Sequence, residues 1–151
     1  MISFSDLDIL RTEEVRRAID ANIERDPVSV ALSKGIPHAQ VVATQVKYLQ
    51  RARRKLPSLY EARCVIPSRA FEQSSSEDSA RRKPLAGGSV LDMTCGLGID
   101  TMALASRFER VVSVERDEVL AEVVRYNMSL LGITNVEVVT ASSEEYVAAT
   151  M

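Results

Sequence analysis

The side chains best suited to chemistry surround a short glycine-bearing loop in the second half of the chain. Asp92 ends one apolar run, Gly96 and Gly98 follow it, and Glu115 ends the next apolar run. Glycine lets the backbone approach a ligand closely, and a carboxylate can accept hydrogen bonds from both hydroxyls of a ribose. Because the loop lies between a predicted strand and a predicted helix, the pattern predicts a nucleoside-binding site.

Two classes of nucleoside ligand could occupy such a site. A dinucleotide such as NAD favours a third glycine, so that its pyrophosphate can reach the helix N-terminus. This loop has two glycines, and Asp100 at the predicted helix start would repel a pyrophosphate. S-adenosyl-L-methionine (AdoMet) carries no phosphate, and its sulfonium and ammonium groups suit Asp92 and Asp100. The charges favour AdoMet, and an NAD-binding Rossmann fragment stays the alternative.

The elements that must position these residues alternate between strand and helix. After Gly88, apolar runs at 89–93, 110–115 and 135–140 are separated by predicted helices at 99–108 and 117–131. This order is typical of an α/β fold with a parallel sheet and right-handed crossovers. Before Gly88 the chain reads as helices that begin at Thr12, one of which Pro57 ends.

These patterns predict three parts. We expect a helical N-terminal domain over residues 1–67, a connecting segment over 68–88, and a partial Rossmann-like domain with three parallel strands over 89–151. Within the connecting segment, three serines followed by Glu77 and Asp78 predict a helix that ends by about Lys83.

The loop and its flanks resemble motifs of the class I AdoMet-dependent methyltransferases. Residues 92–98 are similar to motif I, residues 114–117 to the next motif with its ribose-binding acid, and residues 126–136 to a pattern common in nucleic-acid methyltransferases. Residues 71–83 resemble a stretch found in bacterial methyltransferases with a THUMP-like C-terminal domain, which are related to RNA-cap trimethylguanosine synthases. The resemblance implies methylation of RNA on a base amine such as guanine N2. A non-catalytic cofactor- or RNA-binding module is the alternative.

The candidate cofactor-binding residues combine the loop with this resemblance, which implies that the serine segment lines the pocket. Thr94 stands where motif I usually has glycine, and Ser142 stands near the usual adenine-contacting aspartate. The set is Gln73, Ser75, Ser76, Asp92, Thr94, Cys95, Gly96, Gly98, Asp100, Thr101, Glu115, Arg116 and Ser142.

The resemblance also implies that the chain is a truncated fragment. The full methyltransferase fold has seven strands, and the Asn/Asp-Pro-Pro-aromatic loop that grips a base amine does not occur in this sequence. The catalytic residues are therefore unassigned, and the fragment alone is expected to be inactive. A sheet of three strands exposes an edge, so we expect self-association through it.

A basic cluster points to a second kind of ligand. Residues 45–83 hold 10 Lys and Arg against 4 Asp and Glu, and the densest part is Arg51, Arg53, Arg54 and Lys55 near a helix C-terminus. Phosphate contacts with RNA would use such side chains, and favourable interaction with the helix dipole explains them equally well.

The remaining composition excludes several classes of protein. No run of about 18 apolar residues occurs, so no membrane partner is expected. Cys64 and Cys95 lack metal-ligand spacing, so no metal site is predicted, and a reduced, cytoplasmic setting is expected. With the single histidine, His38, in the helical part, Cys95 is interpreted as a small packed residue rather than a nucleophile.

Overall fold

The structure is a computed structural model that describes residues 1–150, so Met151, the last residue of the predicted third part, lies outside the described residues. The chain divides into two compact units, the first over Met1–Glu72 and the second from Gln73 onward. Within residues 1–150, none of the helices combines the length and apolar character needed to cross a membrane.

The first unit is helical. Its elements are α1 (Phe4–Arg11), α2 (Glu13–Ala21), α3 (Pro27–Ala31), α4 (Ala39–Lys55), α5 (Pro57–Glu61) and α6 (Ser68–Gln73), the last of which ends at the unit boundary.

Local signals in the sequence fix most of these helices. Thr12 caps α2 by accepting the Val15 N–H, and Asp26 caps α3 with Pro27 at the first helical position. Helix α1 was not predicted, although Ser3 and Asp6 form the reciprocal side-chain and backbone bonds of a capping box at its start. Pro57 ends α4 as expected, but it also opens α5, where its missing N–H is not needed.

A buried glutamine organises the core of the first unit. Val42, Val46 and Leu49 on α4 are each at most 1% exposed and face the interior. Beside them, Gln45 donates to the Ile66 carbonyl at 3.3 Å and accepts the Ile66 N–H at 2.9 Å. The amide thereby satisfies both backbone groups of a residue that has no strand or helix partner.

The second unit is α/β. Its elements are α7 (Glu77–Arg81), β1 (Gly87–Asp92), α8 (Ile99–Ala105), β2 (Phe108–Glu115), α9 (Glu118–Leu130), β3 (Val136–Thr140) and α10 (Ser143–Thr150).

The three strands form one parallel sheet in the order β1-β2-β3, which confirms the predicted α/β fold class. In the register of this sheet, Asp92 is paired with Ser113 and Glu115 with Thr140. A cluster of buried residues, to which Cys95, Val124 and Met128 belong, packs α9 against the sheet. Because the strands are parallel, the carboxyl ends of β1 and β2 lie at the same side of the unit.

The two outer edges of this sheet differ. On β3, the Arg125 guanidinium donates to the Val138 carbonyl, with Nη2 at 2.8 Å and Nε at 3.2 Å. On the other side, β1 pairs with β2 and with no further strand of residues 1–150, and Leu91 on β1 is 39% exposed. An arginine over a strand carbonyl blocks addition of another strand there, so β1 is the more accessible edge.

Candidate cofactor-binding site

Glu115 ends β2 and holds the glycine loop in place. Its Oε2 accepts the Gly96 N–H at 2.9 Å, and its Oε1 accepts the Asp117 N–H at 3.1 Å. The carboxylate therefore faces the loop that connects β1 to α8. Each oxygen of a carboxylate has about two acceptor positions, so capacity for ligand hydroxyls remains.

Asp92 ends β1 and is fixed from two directions. Its Oδ1 accepts the Thr94 N–H at 3.1 Å, and its Oδ2 accepts the Thr101 hydroxyl at 2.7 Å. Thr101 Oγ1 in turn lies 2.7 Å from Ser113 Oγ, and both hydroxyl residues are fully buried. The half-buried Asp92 side chain is thus anchored to α8 and β2 beneath it.

The two motif glycines are required for different reasons. Gly96 has a φ of +54° and Gly98 a φ of +88°, so both adopt left-handed backbone. A Cβ on Gly98 would lie 3.1 Å from Met128 Cε and 3.1 Å from Val124 Cγ1, whereas a Cβ on Gly96 would meet no atom within 4 Å. Gly98 therefore allows close packing against α9, and Gly96 presents an open face.

Cys95 is part of the core rather than a reactive group. It is 4% exposed and packs with Val124 and Met128, and burial raises the pKa of its thiol to about 12. A thiol with that pKa is almost entirely protonated at neutral pH, and the thiolate is the nucleophilic form. These properties agree with the interpretation of Cys95 as a small packed residue.

Asp100 forms an ion pair that its neighbours in the sequence do not indicate. The Lys83 ammonium lies 2.9 Å from Asp100 Oδ1, with both side chains partly exposed. The ion pair joins the segment after α7 to the first turn of α8. Because Lys83 offsets the Asp100 charge, repulsion of a pyrophosphate rests mainly on Asp92 and Glu115.

The serine segment before α7 is only partly available to a ligand. Ser76 Oγ accepts the Ser79 N–H at 3.0 Å and caps α7. Gln73 and Ser75 are exposed, so their polar groups are accessible. The cap explains why a serine followed by two acids opens a helix here.

The other candidates on this side of the unit differ in accessibility. Thr94 and Arg116 are exposed, each shortly after the strand that precedes it. Ser142 Oγ accepts the Glu145 N–H at 3.1 Å and its own N–H donates to Glu145 Oε2 at 3.1 Å, so it starts α10. The Ala141 N–H donates to the Glu115 carbonyl at 3.0 Å, which keeps this turn next to the end of β2.

Ser113 is one of two site residues that were not predicted from the sequence. It is a polar residue within the apolar run Val111–Val114 of a strand that is buried at this point. A buried hydroxyl must have a hydrogen-bond partner, so its position could have prompted a search for one. Lys83 was also omitted from the candidates, although it stands in the stretch that carried the resemblance.

In the first unit, two of the proposed RNA contacts already have local partners. Arg51 forms an ion pair with Glu72 at 2.7 Å, and its guanidinium lies 5.1 Å from the centre of the Phe71 ring. Lys55 donates to the Phe71 carbonyl at 2.9 Å. Both side chains therefore contribute to the packing of α4 against the segment around Phe71.

The other two basic candidates are more exposed. Arg53 lies 3.3 Å from a Glu24 oxygen in an exposed ion pair, whose contribution is small and reduced by salt. Arg54 is exposed. Of the four candidates, Arg54 is the one best placed to meet a polyanion, because the other three each contact another residue of the first unit.

Comparisons with known proteins find methyltransferases among the proteins that the second unit resembles. Residues 77–151 match the sequence model of the tRNA (Uracil-5-)-methyltransferase family. The tRNA/tmRNA (uracil-C(5))-methyltransferase of Colwellia psychrerythraea (strain 34H / ATCC BAA-681) is 39% identical over 61 residues, which are 40% of this chain and 17% of that protein. The protein of the same name from Marinomonas sp. (strain MWYL1) is 41% identical over 64 residues, 42% of this chain and 18% of its own length.

A solved structure resembles a larger part of the chain. The crystal structure of a protein assigned as a methyltransferase, from Porphyromonas gingivalis W83, matches with a TM-score of 0.80 and 32% identity over 98% of this chain and 39% of that chain. This chain spans less than a fifth of the curated relatives and about two fifths of the structural relative. The matches relate it to methyltransferases, and the sequence relatives are named for tRNA and tmRNA.

Proposed function

We propose that this chain binds AdoMet and serves a methyltransferase that acts on RNA. The observation that carries the proposal is the open space at Gly96, where a Cβ would meet no atom within 4 Å. Gly96 lies in a loop that the Glu115 carboxylate holds and that the Asp92 carboxylate precedes. The similarity of residues 77–151 to a methyltransferase family supports the same assignment.

The donor and acceptor groups of the site fit AdoMet. Its ribose hydroxyls and ammonium are hydrogen-bond donors, and the carboxylates of Glu115 and Asp92 are acceptors with positions left over. A pyrophosphate offers only acceptors and negative charge, which these two side chains disfavour. A Cβ at Gly96 would fill space that a bound ligand needs, so the absence of a side chain there also fits.

In the proposed arrangement Glu115 holds the ribose, and Asp92 with the loop holds the methionine end. The rest of the proposed set falls into two groups. Direct contact with the ligand is proposed for Gln73, Ser75, Thr94 and Arg116. A role mainly through the contacts that shape the site is proposed for Ser76, Asp100, Thr101 and Ser142. AdoMet supplies an electrophilic methyl group on its sulfonium. The protein's contribution to such a transfer is chiefly positioning of donor and acceptor.

The acceptor is proposed to be a base amine such as guanine N2, as the resemblance of residues 71–83 to the THUMP-like methyltransferases implies. The sequence relatives are named for uracil C5, but the matched residues are at most 18% of their length. Methylation at a pyrimidine C5 needs a nucleophile that adds to the ring. Both cysteines of this chain are buried, and the Asn/Asp-Pro-Pro-aromatic loop of base-amine enzymes is equally missing from this sequence, so the base-amine proposal rests on the resemblance alone.

Calorimetric titration of the full chain with AdoMet and with NAD tests the cofactor. We expect binding of AdoMet and none of NAD, with AdoMet affinity reduced in the Glu115→Gln variant. Glu109→Gln is the matched control, because Glu109 is an exposed carboxylate on the same strand, away from the loop. Binding of NAD in place of AdoMet would make the chain an NAD-binding fragment and refute the proposal.

Transfer of a radiolabelled methyl group from AdoMet to bulk RNA, followed by nucleoside analysis, tests the acceptor. Label in methylguanosine would support the base-amine proposal, and label in 5-methyluridine would overturn it. Because the fragment alone is expected to be inactive, AdoMet binding without transfer to RNA is the expected result for this chain by itself, and it is also the behaviour of a non-catalytic cofactor-binding module.

A further inference from the structure

Two buried hydroxyls connect Asp92 to the interior of the second unit. Thr101 on α8 and Ser113 on β2 are both 0% exposed. Their oxygens lie 2.7 Å apart, and Thr101 Oγ1 lies 2.7 Å from Asp92 Oδ2. Because Asp92 and Ser113 are register partners on adjacent strands, α8 places Thr101 between them.

The direction of this chain of hydrogen bonds is determined by its last member. A carboxylate has no proton, so the Thr101 hydroxyl must donate to Asp92. The single proton of Thr101 is then used, and Ser113 must donate to the Thr101 oxygen. The relay runs from Ser113 through Thr101 to Asp92, and it delivers a charge-assisted bond to one carboxylate oxygen.

The relay and the loop each donate a hydrogen bond to a different oxygen of the Asp92 carboxylate. Thr101 holds Oδ2 from below, and the Thr94 N–H holds Oδ1 from the loop at 3.1 Å. A carboxylate bound at both oxygens has one orientation, and each oxygen keeps acceptor capacity for a ligand. Such fixed orientation before binding lowers the free energy that must be given up when the ligand is bound.

We propose that Thr101 and Ser113 are positioning residues for the methionine end of AdoMet, which act by orienting the Asp92 carboxylate. The inference rests on the proposed function, and it adds a specific role for two residues that cannot themselves reach the ligand because they are buried. The relay predicts that their loss affects the part of the ligand that Asp92 binds and spares the adenosine part.

The test is titration calorimetry of the full chain with three ligands. AdoMet and S-adenosylhomocysteine both carry the amino-acid end, and 5′-methylthioadenosine lacks it. In Thr101→Val, which keeps the shape and removes the hydroxyl, we expect the Kd of AdoMet and of S-adenosylhomocysteine to rise about tenfold, the loss of one hydrogen bond to a charged group. The Kd of 5′-methylthioadenosine should stay within about twofold of the parent chain.

Thr101→Ser is the matched control, because it keeps the hydroxyl and should restore the affinity for all three ligands. Circular dichroism establishes that each variant is folded. If Thr101→Val does not fold, Ser113→Ala takes its place, since it removes the donor to Thr101 and leaves the bond to Asp92. The same selective pattern is then expected with a smaller rise, about threefold.

Equal binding of all ligands by parent and Thr101→Val would overturn the inference, and so would an equal loss of all three. In both cases the parent still binds AdoMet, so the proposed function survives. A folded parent chain that binds none of the ligands would instead refute the proposed function and the inference with it.

Discussion

Substitution of the two loop glycines by alanine should separate stability from cofactor binding. Gly96 and Gly98 both have positive φ, at +54° and +88°. An L-residue in left-handed backbone costs about 1–2 kcal/mol, so each variant should lose about that much free energy of unfolding from the backbone alone. The two positions then differ in what the new methyl group meets.

The methyl group at Gly98 meets packed side chains. It would lie 3.1 Å from both Met128 Cε and Val124 Cγ1. The end of a methionine can move, but a valine in a helix is stiff at χ1, so α9 must shift. Overpacking of this kind costs about 1–3 kcal/mol, and we therefore expect Gly98→Ala to be less stable than Gly96→Ala by about 2 kcal/mol.

The methyl group at Gly96 meets no atom within 4 Å, and we place the cofactor in that space. Gly96→Ala should raise the Kd of AdoMet at least tenfold, a loss of about 1.4 kcal/mol or more. Gly98→Ala, whose methyl group points at α9, should bind AdoMet within about threefold of the parent chain where it is folded.

Urea unfolding followed by circular dichroism measures the stabilities, and titration calorimetry measures the affinities. Gly132→Ala is the control for the backbone cost, because Gly132 has a φ of +70°, lies after α9, and has open space at its Cβ. Equal stabilities of the Gly96 and Gly98 variants would refute the packing argument. Unchanged AdoMet affinity in Gly96→Ala would refute the placement of the cofactor.

Three further predictions concern other parts of the chain. Burial raises the pKa of the Cys95 thiol from 9.0 to about 12, so the thiol ionises at lower pH in the unfolded chain than in the folded one. The folded state should therefore lose stability as pH rises from 9 toward 12. Over that interval the urea midpoints of the parent and of Cys95→Ala should converge. Arg54→Ala should weaken RNA binding and lower the slope of log K against log salt concentration by about 0.7. If Arg51→Ala changed that slope and Arg54→Ala did not, the choice of Arg54 as the RNA contact would be wrong. Exposure of the β1 edge predicts self-association that increases with protein concentration, as measured by sedimentation velocity. Leu91→Lys, on β1, should weaken it more than the control Leu32→Lys, which changes an exposed leucine of the first unit.

The sheet could be read from the sequence because its strands are short apolar runs between clear breaks. The runs at 89–93, 110–115 and 135–140 predict β1, β2 and β3 to within two residues at each end. The start of α7 was equally readable, since the serine that caps it is followed directly by two acids. In each case the signal in the sequence is local, a short run of neighbouring residues, although the strands themselves pair with distant residues such as Ser89 with Arg110.

Interactions between distant residues were not readable in this way. Lys83 and Asp100 are paired across 17 positions of sequence, and nothing in their neighbourhoods specifies the partner. From the sequence alone, Asp100 is therefore expected to be an unpaired charge. Ser113 was missed for the same reason, because its partner Thr101 lies on another element. The order of the elements could be predicted, but the pairing of polar side chains depends on how they pack.

The hydrogen bonds between distant residues bear on how Asp92 and Glu115 would select a ligand. The sequence suggests that charge at Asp92 and Asp100 selects AdoMet over a dinucleotide. In the structure each oxygen of Asp92 and of Glu115 already accepts a hydrogen bond from the protein. Those bonds determine which acceptor positions remain, and therefore where a ligand's donors must lie. In the proposed site, charge disfavours a pyrophosphate, and we expect the orientation set by the loop and by the relay beneath it to distinguish AdoMet from other cations attracted to the same acids.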